Sequence, residues 1–126
     1  MSVKYSLVQR ANPQKRQDPK KWYAQAESTG EITSKELGKS IEEMTALTEP
    51  DVIAATTALR KAMARGLADG KIVRLGDFGS FQVTLSSEGS DSKDKFNPAT
   101  IDSVKIVFRP GTELRDLLTT LKFEKI

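Results

Sequence analysis

Apolar and polar residues alternate with a period of two from Val3 to Arg10, which puts Tyr5 and Leu7 on one face and predicts a strand. Asn12-Pro13 and Asp18-Pro19 bracket the polar loop Gln14-Lys15-Arg16-Gln17, after which Lys21-Trp22-Tyr23-Ala24-Gln25-Ala26 reads as a second strand. Residues 1–30 are therefore expected to form a two-stranded β extension ending at Gly30, and residues 31–126 a separate domain. The period then becomes helical. Thr33 or Ser34 can cap a helix in which Leu37, Ile41 and Met44 fall at i, i+4 and i+7, forming one apolar stripe. Thr48-Glu49-Pro50-Asp51 opens the next helix with a capping hydroxyl, a proline in the first turn and acids at the positive dipole end. Val52, Ala55, Leu59, Met63 and Gly66 give that helix a core stripe, and Gly70 stops it.

Strand-like alternation returns after Gly70. Val73-Arg74-Leu75 runs into Gly76-Asp77-Phe78-Gly79, where two glycines flank an Asp-Phe pair and supply the permissive φ of a tight turn. Phe81, Val83 and Leu85 then alternate with Gln82 and Thr84, and Ser86 to Ser103 is a polar arm. Val104, Ile106 and Phe108 mark a further strand that ends at Pro110, and Gly111-Thr112 opens a helix carrying Leu114, Leu117, Leu118 and Leu121. The predicted order is hairpin, helix, helix, strand, strand, arm, strand, helix, an α+β chain.

Composition narrows the chemistry. With 126 residues the chain is one domain plus a small appendage, and it holds no cysteine and no histidine. That excludes disulfides and thiolate or imidazole metal ligation; carboxylate-only metal binding stays open with nothing in the sequence to support it, and no metal or other cofactor is expected. Met1 to Arg10 has no apolar h-region and no run is long enough to span a membrane, which leads us to expect a soluble cytoplasmic protein. The net charge of +3 is unevenly spread: residues 1–27 carry +4, residues 28–82 carry −1 and residues 83–126 carry none. No nucleophile–base pair or phosphate-cradling glycine loop occurs, and Glu42-Glu43 reads as a helical salt-bridge surface. An enzyme with a small-molecule substrate is therefore not expected.

The segment from Gly70 to Phe81, followed by Phe108-Arg109-Pro110-Gly111-Thr112-Glu113-Leu114, resembles the HU family of histone-like, DNA-bending proteins. With the two upstream helices the resemblance covers residues 33–122; the N-terminal hairpin is not part of a typical HU chain. It implies an intertwined homodimer with a helical body, a three-stranded sheet forming a saddle, and two β-arms that embrace double-stranded DNA in a bacterial nucleoid. A homodimer also follows from the residues. Phe78, Phe81, Ile106, Phe108 and the Leu59/Met63 stripe are more apolar surface than one small protomer covers.

The family inserts an arm-tip proline between base steps, giving up stacking for a bend that wraps more protein surface. Asn97-Pro98 resembles the family's Arg-Asn-Pro tip, with Phe96 where the arginine would stand. Pro98 lies seventeen residues after Phe81 and ten before Phe108, so two placements stay open: a displaced tip, or a loop proline on the returning limb, with Ser90 to Lys95 nearer the midpoint. Arm charge also departs from the family, since Lys93, Lys95 and Lys105 face Glu88, Asp91, Asp94 and Asp102, a net −1.

The candidate DNA contacts are Arg74, Lys105 and Arg109, which alternate with core residues and point to the saddle surface, together with the arm residues Lys93, Lys95, Asn97 and Pro98. Gly111 and Thr112 join them as a helix start whose free amides can hold a phosphate, where the family also contacts backbone. Lys15, Arg16, Lys20 and Lys21 beside Trp22 and Tyr23 form a possible auxiliary patch. Solvated sheet and loop faces are the plainer account of both basic sets. Two functions compete: an architectural protein that shapes or compacts duplex DNA with little sequence preference, and an HU-fold structural or interaction module whose arm and hairpin bind protein or another copy of the chain.

Overall fold

A computed structural model describes residues 1–126. It is an α+β chain with two three-stranded sheets and three helices. The strands are β1 (Val3–Arg10), β2 (Lys21–Glu27), β3 (Val73–Leu75), β4 (Gly79–Ser86), β5 (Asp102–Pro110) and β6 (Phe123–Lys125); the helices are α1 (Ser34–Met44), α2 (Glu49–Ala68) and α3 (Thr112–Thr120). No helix is long and apolar enough to cross a membrane.

Local chemistry sets the helix ends. Thr33 accepts from the Glu36 amide to cap α1. At α2 the Thr48 hydroxyl accepts from the Asp51 amide while the Asp51 carboxylate accepts from the Thr48 amide, a reciprocal capping box. The helix closes with Gly70 at φ +77°, its amide donating to the Leu67 carbonyl and that of Lys71 to the Gly66 carbonyl. This is a Schellman close, and it needs the left-handed residue that glycine supplies.

The first sheet has the order β2-β1-β6 and the second the order β3-β4-β5. β1 and β2 pair antiparallel over Lys4↔Glu27 to Arg10↔Lys21, as the alternation predicts. β6 is the element that sequence reading missed. It runs parallel to β1, with the Val3 amide donating to the Lys122 carbonyl at 2.7 Å and the Ile126 amide to the Tyr5 carbonyl at 2.9 Å. The hairpin sheet thus takes in residues that sequence reading assigned to the second domain. Its main contacts are internal, whereas α1 packs on α2, and α2 and α3 pack on the second sheet.

Burial departs sharply from the expected core. Val52 is the one buried apolar side chain, at 3% exposure, sitting beside Gly38 of α1. The stripe residues Leu37, Met44 and Leu59 are instead 53%, 82% and 44% exposed. Total accessible surface is 11032 Å², where a compact chain of this mass would expose about 6,700 Å². The stripes are real, but the chain itself leaves them open to solvent.

Candidate nucleic-acid interface

Pairing register sorts the second sheet into two faces, because directly opposed residues point the same way. Val73, Phe81 and Phe108 form one row and Val83 and Ile106 the next, so this face is apolar. The Phe81 and Phe108 rings lie 4.8 Å apart and Phe78 adds a third ring 5.8 Å from Phe108, both pairs tilted as aromatic quadrupoles prefer. On the opposite face Arg74, Ser80 and Arg109 form a row across all three strands, and Gln82 opposes Val107 and Thr84 opposes Lys105. The three basic residues singled out from the alternation are thus on one polar face, exposed, with no carboxylate within salt-bridge distance. Ser80 completes the middle of that row and was missed, although its position between Gly79 and Phe81 carries the same alternation signal.

The two sequence segments that carry the HU resemblance meet at the rim of this face. Residues Gly76–Phe78 form a 3-10 turn between β3 and β4, and the Gly111 amide donates to the Phe78 carbonyl at 2.9 Å. A Cβ at Gly111 would land on the Asp77 carbonyl, and one at Gly79, where φ is +153°, would lie 2.6 Å from the Arg109 carbonyl oxygen. Neither position has room for a side chain, so backbone packing fixes how Arg109 and α3 leave the sheet. It also corrects the role expected of Gly111: its amide is spent on Phe78 and is not free for a phosphate. Thr112 is the first residue of α3, and its amide and those of Glu113 and Leu114 have no acceptor within the helix.

The arm is less regular than a long ribbon. β4 ends at Ser86 and β5 begins at Asp102, with a register shift between Thr84 and Ser86 and Ser103 at φ +48°. Between them lie two 3-10 turns, Lys93–Lys95 and Pro98–Thr100. Lys93 and Lys95 are exposed in the first. In the second, the Asn97 carboxamide oxygen accepts from the Ala99 amide at 3.0 Å and Pro98 is the first residue of the turn, just before β5. Asn97 is thereby occupied as a local cap.

The auxiliary basic residues lie elsewhere. Lys15 and Arg16 are in the β1–β2 loop, where Lys15 bridges back to Asn12, and Lys20 and Lys21 lead into β2. They belong to the other sheet and do not extend the Arg74–Arg109 row. The two carboxyls displaced from their ordinary range are also remote from it. The Thr48 hydroxyl and amide hold Asp51 down, and hydrogen bonds from Lys4 and Ser2, with the Lys4 charge, hold Glu124 down.

Known proteins share this architecture. The chain is 31% identical over 91 residues to the DNA-binding protein HU of Thermus thermophilus, covering 68% of this chain and 90% of that one. In fold it matches the Anabaena HU of an HU–DNA cocrystal structure with a TM-score of 0.54 at 24% identity, covering 71% of this chain and 99% of that one. It also matches a Bacteroides vulgatus protein assigned as a bacterial DNA-binding protein, with a TM-score of 0.70 at 14% identity over 99% of this chain. The chain spans 48% of that protein's length. The model of the HU-HIG family, described as an HU domain fused to wHTH, Ig, or glycine-rich motif, matches residues 1–125. With the two motif segments interlocked at the sheet rim and an HU relative covered over nine-tenths of its length, this chain belongs to the HU-HIG family.

Proposed function

We propose that this protein binds double-stranded DNA as a homodimer, with little sequence preference, and shapes the duplex it holds within the nucleoid. The observation that carries the reading is the row of Arg74 and Arg109 about Ser80, with Lys105 on the same face, none of them neutralised by a carboxylate of the protomer. Cations spread over a sheet face suit phosphate contact, which positions a duplex without reading its bases. The name of the Thermus relative, DNA-binding protein HU, supports the same partner. The exposed helical stripes and apolar sheet face support a second copy as their cover. The HU-like unit from residue 31 onward carries the DNA contacts, with residues 1–30 as its extension. Lys93, Lys95, Thr112 and the hairpin lysines are secondary contacts in this scheme.

A salt titration of duplex binding tests it. Replacing Arg74, Lys105 and Arg109 together with alanine should weaken binding about equally on all sequences, and lower the slope of log affinity against log salt by roughly 0.9 for each phosphate left without its cation. Unchanged binding, with loss only on altering Lys15, Arg16, Lys20 and Lys21, would move the site to the hairpin. Absence of duplex binding by the native protein at low salt would leave the interaction-module reading, which the acidic arm favours.

A further inference from the structure

We infer that β2 is an assembly edge, which pairs antiparallel with β2 of a second copy about a two-fold axis centred on Ala24. In a β-ladder each residue turns its amide and carbonyl toward the same neighbour. Val3 donates to Lys122 and Tyr5 accepts from Ile126, so odd-numbered residues of β1 serve β6. Lys4, Ser6, Val8 and Arg10 therefore serve β2, through their partners Glu27, Gln25, Tyr23 and Lys21. The backbone groups of Trp22, Ala24 and Ala26 then point away from β1, on the outer side of an edge strand.

This edge lacks the usual protection. From Trp22 to Ala26 there is no charge, no proline and no bulge, and the whole strand is exposed except for half-buried Glu27. Its face is unclaimed as well: Trp22 is 64% exposed and Phe123 67%, on the apolar side they share with Val3, Tyr5 and Leu7.

Charge selects the occupant. Centring on Ala24 pairs all seven residues of β2, joins each outward-facing residue to another, and sets Lys21 against Glu27 of the second copy, twice by symmetry. Within its own hairpin Lys21 opposes Arg10, a like charge, and has no carboxylate within salt-bridge distance. Glu27 accepts from the Ser6 hydroxyl at 2.6 Å through one oxygen and opposes Lys4 without a salt bridge, which leaves its other oxygen for Lys21 of the second copy. Two such sheets merge into one of six strands, with Trp22, Ala24, Ala26, Leu7 and Tyr5 of both copies on one face, bordered by Gln9 and Lys125. The contact lies apart from the helices and from Phe81, and so joins copies independently of the helical body.

The chain has no cysteine, so a single one reports the register without interference. Ala24→Cys in the full-length protein, mildly oxidised without DNA, should give a covalent dimer, because two-fold pairing sets the two Cα atoms about 5.5 Å apart, within disulfide reach. Ala26→Cys should not, since its own copy lies roughly 14 Å away along the ladder. Adding Lys21→Glu to Ala24→Cys should cut crosslinking roughly tenfold by placing acids against acids at both ends, and adding Glu27→Lys as well should restore it. Lys21→Glu faces Arg10 within its hairpin, so the loss cannot come from a weakened strand pair. Equal crosslinking at positions 24 and 26, none at 24, or indifference to Lys21→Glu would overturn the inference. The mass of the Lys21→Glu protein reads the helical body separately, so either contact can fail without the other.

Discussion

At the scale of single residues, two carboxylates tie local structure to pH. Asp51 accepts from the Thr48 hydroxyl at 2.8 Å and from its amide at 3.2 Å, and Glu124 accepts from Lys4 and Ser2 across the β1–β6 pair. Both carboxyls ionise below their ordinary range in the folded chain. Their contributions are therefore present above the unfolded carboxylate values and are lost as pH falls through the lowered folded ones. Both groups are exposed, so the effects are small and screened by salt. Acidification below the carboxylate range should lower the exchange protection of the Ile126 amide, and Glu124→Gln should remove that pH dependence. Protection that ignores pH in the native protein would refute the assignment. The Asp51 box could be read from the spacing Thr48-x-x-Asp51 alone. The Lys4–Glu124 pair could not, because its partners are 120 residues apart and meet only through a strand that no local pattern announces.

At the scale of elements, the arm is what the proposed DNA complex would use to bend a duplex. Wedge insertion needs a proline at an exposed tip, yet Pro98 opens a capped turn just before β5, and Asn97 is occupied in the cap. Asp91 and Asp94 share the connection with Lys93 and Lys95, and carboxylates beside phosphates repel where water screens only partly. Pro98→Ala should therefore change bending little, and the native protein should bend DNA less than a typical HU. Energy transfer between dyes at the ends of a short duplex would show it; strong bending that disappears in the variant would refute it. Elements with several periods of pattern were legible: β1, β2, α2 and β5 follow from alternation, caps and proline brackets. β6 was not, because Phe123–Lys125 is too short to show alternation and gains its place from β1. Among the candidate contacts, the positions of Arg74, Lys105 and Arg109 were readable from alternation with apolar neighbours, whereas the spent Gly111 amide depends on Phe78, on a different element.

For the molecule as a whole, the exposed apolar surface is the quantity to explain. An accessible surface of 11032 Å² exceeds that of a compact chain by about 4,300 Å², and Leu37, Leu59, Ile106 and Phe108 are among the side chains open to solvent. A second copy packed against the helices and the apolar sheet face would cover these residues, and folding would then be inseparable from association. Sedimentation of the Lys21→Glu protein, which lacks the β2 contact, should give about twice the 13.9 kDa chain mass at micromolar concentration, and the native protein should give that mass or a multiple of it. The urea midpoint of the Lys21→Glu protein should rise with protein concentration, as mass action requires of an obligate dimer. Phe81 stacks on Phe108 in the centre of the apolar face, so Phe81→Ala should cost roughly 3 to 5 kcal/mol and abolish dimer and fold together. A concentration-independent midpoint with a well-folded 13.9 kDa species would show instead that one chain suffices, and the open stripes would need another partner.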